Sequence, residues 1–265
     1  MKTLIVATDF SSPAENAMLF AGSIASKIQA RVMLFHVYQI PVSMAEVPVL
    51  MISGEELKHA ADEGLKSAAA VLQNAYPSLN IITESRLGDV NDELNEVCKT
   101  MDPFAIVTGK HGASGLERFL FGSTSLSIVR HTSIPVIVIP DTSVKKEISN
   151  VALAIDDLKE ELPQQQKIKT FIETLGAQLH IIHVQGNKTS SKELDKLVSF
   201  LHSKCETIHS DEFFTGIQSY LNNKNIDMLI TIPHKHSFVE RLTFRTHTEE
   251  LLKKLTIPIA CISED

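Results

Sequence analysis

The chain contains the same pattern twice. Asn150-Val-Ala-Leu-Ala-Ile-Asp156 matches Thr3-Leu-Ile-Val-Ala-Thr-Asp9, and Leu179-His-Ile-Ile-His-Val184 matches Val32-Met-Leu-Phe-His-Val37. Asp227-Met-Leu-Ile-Thr231 matches Phe104-Ala-Ile-Val-Thr108, and Ile257-Pro-Ile-Ala-Cys-Ile262 matches Ile134-Pro-Val-Ile-Val-Ile139. The later blocks align without a gap. Each block is a short apolar run bounded by polar or turn residues, the signature of a strand buried on both faces. A duplication of this size predicts two similar domains, 1–141 and 149–265, joined by the polar segment Asp141 to Asn150. A chain of 265 residues accommodates two domains of ordinary size.

Within the first copy, strands alternate with helical patterns. Leu4 to Ala7 reads as the first strand, ending in Thr8-Asp9. Ser12 is a candidate cap and Pro13 suits the first turn of a helix. Ala14, Ala17, Met18, Ala21, Ile24, Ala25 and Ile28 give that helix one apolar face. Arg31 to Val37 is the second strand. Gln39 to Ile52 is apolar, carries Pro41 and Pro48, and has no clear period; it suits a pocket cover, an interdomain contact or an oligomer contact. Ser53-Gly-Glu-Glu56 predicts a capping box opening a long helix to Tyr76. Asn80 to Leu87 is the third strand, Gly88-Asp89 opens a helix, Ala105 to Thr108 is the fourth strand and Ile134 to Pro140 contains the fifth. This alternation predicts an α/β fold with a parallel, doubly wound sheet. In the second copy, the interval between the second and fourth strands reads as shorter, with one brief helix from Glu193 to His202.

The fourth strand of the first copy runs into a loop with Gly109, Gly112, Gly115 and Gly122, and a helical pattern starts at Ser123. A strand that ends in a glycine loop and feeds a helix suits phosphate. Glycine lets backbone N–H groups approach the anion, and the first helical N–H groups are unpaired and partly positive. The Ser123 hydroxyl suits a helix cap or a phosphate oxygen. No Gly-Lys-Ser/Thr closes the loop, so it is not a P-loop, and its spacing differs from the dinucleotide fingerprint. In an open parallel sheet, ligands bind beyond the carboxyl ends of the strands near the switch in strand order. Asp9, Val37 and Gly109 all lie at such ends. A carboxylate at a strand tip also has a purely local use, capping the next turn.

Gly109, two residues, Gly112, nine residues, then Gly122-Ser123 resembles the nucleotide loop of the universal stress protein family. With the duplication, the whole chain resembles a tandem member of that family. The resemblance implies two Rossmann-like domains of the adenine nucleotide alpha hydrolase-like type, each with a five-stranded parallel sheet. It further implies that Pro135–Ile139 and Pro258–Ile262 pair within the chain as an intramolecular pseudo-dimer, which removes two exposed sheet edges. It places ATP in the first domain, with or without Mg²⁺. Ala7, Thr8, Asp9 and Val37 match positions that hold the adenosine. Gly109, Gly112, Gly122, Ser123 and Thr124 match positions that hold the phosphates, and Thr108 completes the candidate set. In the second copy Ile232, Lys235 and Arg245 stand where the loop glycines were, so no ATP is expected there.

The resulting expectation is an ATP-binding stress-response or regulatory protein that acts on an unidentified protein partner, with homodimerisation as a further contact. Two alternatives stand beside it: a slow ATPase or phosphoryl or nucleotidyl transferase, for which Asp9 and Asp89 are the candidate carboxylates, and a nucleotide-free dimerising scaffold. No catalytic residue and no metal ligand is assigned. His234-Lys-His236 and His247 have no cysteine or carboxylate at metal spacing, and His111, Arg130 and His131 read as surface groups. Net charge is −7 with no Lys/Arg cluster, which argues against nucleic acid. No apolar run is long enough to span a bilayer, and the first residues do not read as a signal peptide. Three separated cysteines suit a reducing compartment, so a cytoplasmic location is expected.

Overall fold

The computed structural model describes residues 1–40, 53–110, 123–141, 147–155, 164–184, 191–210, 213–233 and 250–263. The first half contains β1 (Thr3–Ala7), α1 (Ser12–Ile28), β2 (Arg31–Tyr38), α2 (Gly54–Ala75), β3 (Ile81–Leu87), α3 (Val90–Met101), β4 (Ala105–Gly109), α4 (Ser123–His131) and β5 (Val136–Ile139). The second half contains β6 (Asn150–Ile155), α5 (Gln165–Leu175), β7 (Gln178–Val184), α6 (Ser191–Phe200), β8 (Cys205–Ile208), α7 (Phe213–Asn223), β9 (Met228–Thr231) and β10 (Ile259–Cys261). A further helical stretch covers 250–254.

All these strands form a single ten-stranded sheet in the order β3-β2-β1-β4-β5-β10-β9-β6-β7-β8. Each half is parallel throughout, and the halves meet where β5 and β10 pair antiparallel, Val136 with Cys261 and Val138 with Ile259. The expected pairing of the fifth strands within the chain is therefore present. The duplication extends to register: Thr3 pairs with Arg31 in β1/β2, and Asn150 pairs with Gln178 in β6/β7 at the same sequence interval. The equivalent residues Gln29 and Gly176 end α1 and α5 in the left-handed conformation, at φ 53° and 59°. Glycine adopts that conformation without steric cost, and the first half does so with a glutamine.

The sheet is covered on both faces, which is why its central strands are apolar at consecutive positions; Leu4, Ile5 and Val6 are all fully buried. Leu4, Val6, Leu34, Val151 and Leu153 pack with α1, α2, α5 and α6 in one cluster. Ile5, Met33, Phe35, Ala152 and Ile182 pack on the other face with α3, α4, α7 and Leu251, Leu252 and Leu255. Both clusters run across the seam. Phe104 stacks on Phe171 at 5.2 Å, and Lys2 Nζ donates to Thr174 Oγ1.

Two expectations are corrected. Ser11, not Ser12, caps α1: its backbone is extended and its Oγ accepts from the Ala14 N–H at 3.4 Å. The second half also has more between β7 and β9 than one brief helix, namely α6, β8 and α7. β8 is a short, half-exposed edge strand with no apolar run to announce it. α7 contains Thr215 and Gly216, which weaken a helical reading; a Cβ on Gly216 would lie 2.8 Å from Ser210 Cβ, so tight packing keeps the glycine.

Candidate functional site

β1 lies between β2 and β4, and the chain order reverses across the β1/β4 boundary. This is the switch point, where the crossovers depart to opposite faces and leave a crevice beyond the strand ends. Four segments reach it: the tip of β1, the end of β2, the end of β4 and the first turn of α4.

The β1 tip is a hydrogen-bonded turn. Thr8 N–H donates to Phe35 O at 3.0 Å, and His36 Nδ1–H donates to Thr8 O at 2.8 Å. Phe10 N–H donates to Thr8 Oγ1 at 3.1 Å. Asp9 Oδ1 accepts from Ser11 N–H at 3.1 Å and from Ser11 Oγ–H at 2.5 Å. Asp9 therefore fixes its own turn and positions the cap of α1, while its side chain is exposed. Phe10 has φ 63°, an uncommon conformation for an aromatic residue. Its ring contacts His36 at a centroid distance of 4.5 Å and lies over Gly64, where a Cβ would come within 2.7 Å of Phe10 Cζ. Ala7 and Val37 are both partly buried and pack on the α3/α4 side, giving an apolar patch beside the turn.

The end of β4 is locked to α4. Ser125 Oγ–H donates to Gly109 O at 2.7 Å, and Thr108 Oγ1 lies 3.3 Å from Ser125 Oγ, all of it buried. Ser123 and Thr124 in the same turn are exposed. Thr108 is thus an internal strut, and Ser125 is a positioning residue that the sequence reading missed. Its signal was its place on the inward side of α4, two residues after the exposed Ser123. Asn91 at the start of α3, itself capped by Asp89 Oδ1, donates to Ser127 Oγ at 3.0 Å and adds a second tie to α4. Asp89 is committed to that cap, accepting from the Asn91 and Asp92 N–H groups.

Gly109 has a packing reason of its own. A Cβ there would lie 2.8 Å from both the carbonyl carbon and the oxygen of Pro13, in the first turn of α1. The equivalent residue Ile232 is 9% exposed and part of the core. The helices differ to match: α1 has 17 residues and α5 has 11, with equivalent ends, so α5 starts later. Lys110, next after Gly109, donates its N–H to Ile139 O at 2.7 Å and its Nζ–H to Lys253 O at 2.5 Å. Burial pushes the Lys110 amine below its ordinary pKa, with Asp141 opposing.

Gly112, Gly122 and His111 lie outside the described residues, as do residues 41–52, Asp156, Lys235, Arg245, His234, His236 and His247. Of the candidate set, the structure brings Ala7, Thr8, Asp9, Val37, Thr108, Gly109, Ser123 and Thr124 to one end of the sheet. Cys98 is buried and its thiol is pushed up to about 11, which leaves it a packing residue. Among the described residues no group of His, Cys, Asp or Glu is placed to hold a metal, and no helix is long and apolar enough to cross a membrane.

This fold and switch point define a Rossmann-like α/β protein duplicated in one chain. The universal stress protein family model matches residues 1–140, and the chain belongs to that family. A universal stress protein from Mycolicibacterium smegmatis is 31% identical over 141 residues, 51% of this chain and 47% of that protein. One from Methanocaldococcus jannaschii is 30% identical over 143 residues, 52% of this chain and 81% of that protein. The chain spans 58% of the length of universal stress protein G from Escherichia coli O157:H7 and about half that of the mycobacterial relative. Among solved structures, a universal stress protein from Archaeoglobus fulgidus superimposes with a TM-score of 0.71 at 16% identity, covering 99% of this chain and 98% of that one. It supports the fold over the full duplicated length.

Proposed function

We propose that the first domain, residues 1–141, binds an adenine nucleotide, ATP above all, and that the second, residues 149–265, is a partner domain whose own site is lost. The observation that carries this reading is the exposed first turn of α4, pinned to the end of β4 by Ser125 at the switch point of the sheet. Phosphates suit the Ser123 and Thr124 hydroxyls and the partly positive helix start. The half-buried Ala7 and Val37 suit the flat apolar face of a base, with the exposed Asp9 carboxylate as a hydrogen-bond acceptor for adenosine. Gly112 and Gly122 extend the phosphate side by sequence. Mg²⁺ would neutralise phosphate charge there without a dedicated protein cage. In the second domain, the core side chain of Ile232 replaces the glycine at the strand end.

The protein is then a nucleotide-responsive regulator in stress response, in which ATP stabilises the first domain by mass action and biases a surface read by a protein partner or a second copy of the chain. Its three free thiols suit the cytoplasm. Binding is favoured over turnover because Asp89 caps α3 and Asp9 holds its own turn. Denaturing fresh protein and identifying released small molecules by mass spectrometry, followed by calorimetric titration with ATP and Mg²⁺, tests the reading. The expected stoichiometry is about one nucleotide per chain, because only one half keeps the glycines. Gly122→Arg, which copies Arg245, should fold and lose nucleotide. Undiminished affinity in that variant sinks the site, and no heat from the wild type favours the scaffold. Magnesium-dependent phosphate release that vanishes in a folded, ATP-binding Asp9→Ala would promote the enzyme reading instead.

A further inference from the structure

We propose that Lys110 is a positioning residue that couples the nucleotide end of β4 to the last helical stretch of the second half, so that the second half acts as an in-chain regulator of the first. This rests on the nucleotide reading above. Lys110 is the residue immediately after Gly109, and its two donors point to different places. Its backbone N–H is held by Ile139 O in β5, while its ammonium crosses the seam to the carbonyl of Lys253. Lys253 lies in the final turn of 250–254, where the last carbonyls of a helix have no partner within the helix and carry partial negative charge. A cation is the favoured cap there.

The acceptor is firmly set. Leu251, Leu252 and Leu255 are buried in the same cluster as Ile128 and Val129 of α4, and β10 follows to pair with β5. A shift at the end of β4 is therefore carried by Lys110 to a helix end in the other half, and the reverse holds equally. The Lys110 tether has no counterpart at the equivalent position. Position 233, equivalent to Lys110 in the second half, is Pro233, which has neither an ammonium nor a backbone N–H to donate. The second half reaches back at a different place, where Lys167 Nζ of α5 donates to Ser133 O, just past the end of α4, at 3.3 Å.

Amide exchange and calorimetry on the full chain test this with Lys110→Met, which keeps the apolar stem, and Lys110→Arg, which keeps the charge. In ligand-free protein, Lys110→Met should speed exchange of the 251–255 amides by about 5-fold or more and weaken ATP binding by a similar factor, while Lys110→Arg restores most of both. In the wild type, ATP should slow exchange at 251–255 as well as at the β1 tip. In Lys110→Met only the β1-tip protection should remain. Unchanged exchange at 251–255, or unchanged ATP affinity in a folded Lys110→Met, overturns the coupling. Failure of the wild type to bind ATP overturns the nucleotide reading and the coupling with it; the ligand-free exchange then shows separately whether the tether itself exists.

Discussion

Gly109 shows how one residue answers to two demands. Its sequence context suggests a backbone cleared for phosphate, and its packing shows a backbone cleared for Pro13 of α1. The second demand holds whether or not a ligand is present. Gly109→Ala places a Cβ against main-chain atoms that cannot rotate away, so a loss of about 1–3 kcal/mol of stability is expected in urea denaturation of the ligand-free protein. A stability equal to the wild type would show that α1 moves freely off β4. Ile232 reaches the opposite solution, with a buried side chain and a later-starting α5. Variants at Gly109 therefore report mainly on packing, and the exposed Ser123 and Thr124 are cleaner probes of anion binding.

At the scale of elements, the start of α2 was legible residue by residue. Ser53 and Glu56 form the reciprocal cap read from the sequence: Ser53 N–H donates to Glu56 Oε2 at 2.8 Å and Glu56 N–H to Ser53 Oγ at 3.1 Å. The Ser53 backbone and hydroxyl donors hold the Glu56 carboxyl below its ordinary pKa. Because the folded value is the lower one, this cap contributes fully above the unfolded carboxylate pKa and is lost as pH falls through the folded value. Amide exchange at the start of α2 should accelerate as pH is lowered through that window, after correction for intrinsic rates. Glu56→Gln should remove most of that pH dependence; a wild-type profile flat in this window would disprove the assignment. Edge elements were the least legible. β8 has no apolar run because half of it faces solvent, and α7, whose Phe214, Ile217, Tyr220 and Leu221 do share one face, is obscured by the poor helix formers Thr215 and Gly216, the latter kept for a close approach.

For the whole molecule, the seam decides the architecture. β5 and β10 are buried by one another, and Val136 and Val138 have almost no exposure. A chain ending at 141 would leave β5 as an open, apolar edge, which invites another strand. Such a fragment is expected to self-associate into dimers or larger species by light scattering. A well-behaved monomer would mean that the second half is dispensable for covering that edge.

The sequence by itself determined the duplication, the run of buried strands and the helix caps at Ser53 and Asp89, while the pairing of the fifth strands was implied by the family resemblance and made by the tertiary structure. Each of the first three depends on short-range pattern: strand burial on consecutive apolar residues, caps on residues three apart, and the repeat on matched blocks. The tertiary structure decided what no local pattern encodes. It set the Ser125 hydroxyl on Gly109 O, placed Pro13 against Gly109 and brought Lys110 to Lys253 across 143 residues of chain. Those contacts join atoms far apart in sequence or choose among several local partners, and only the packing of helices on a finished sheet fixes which partner is within reach.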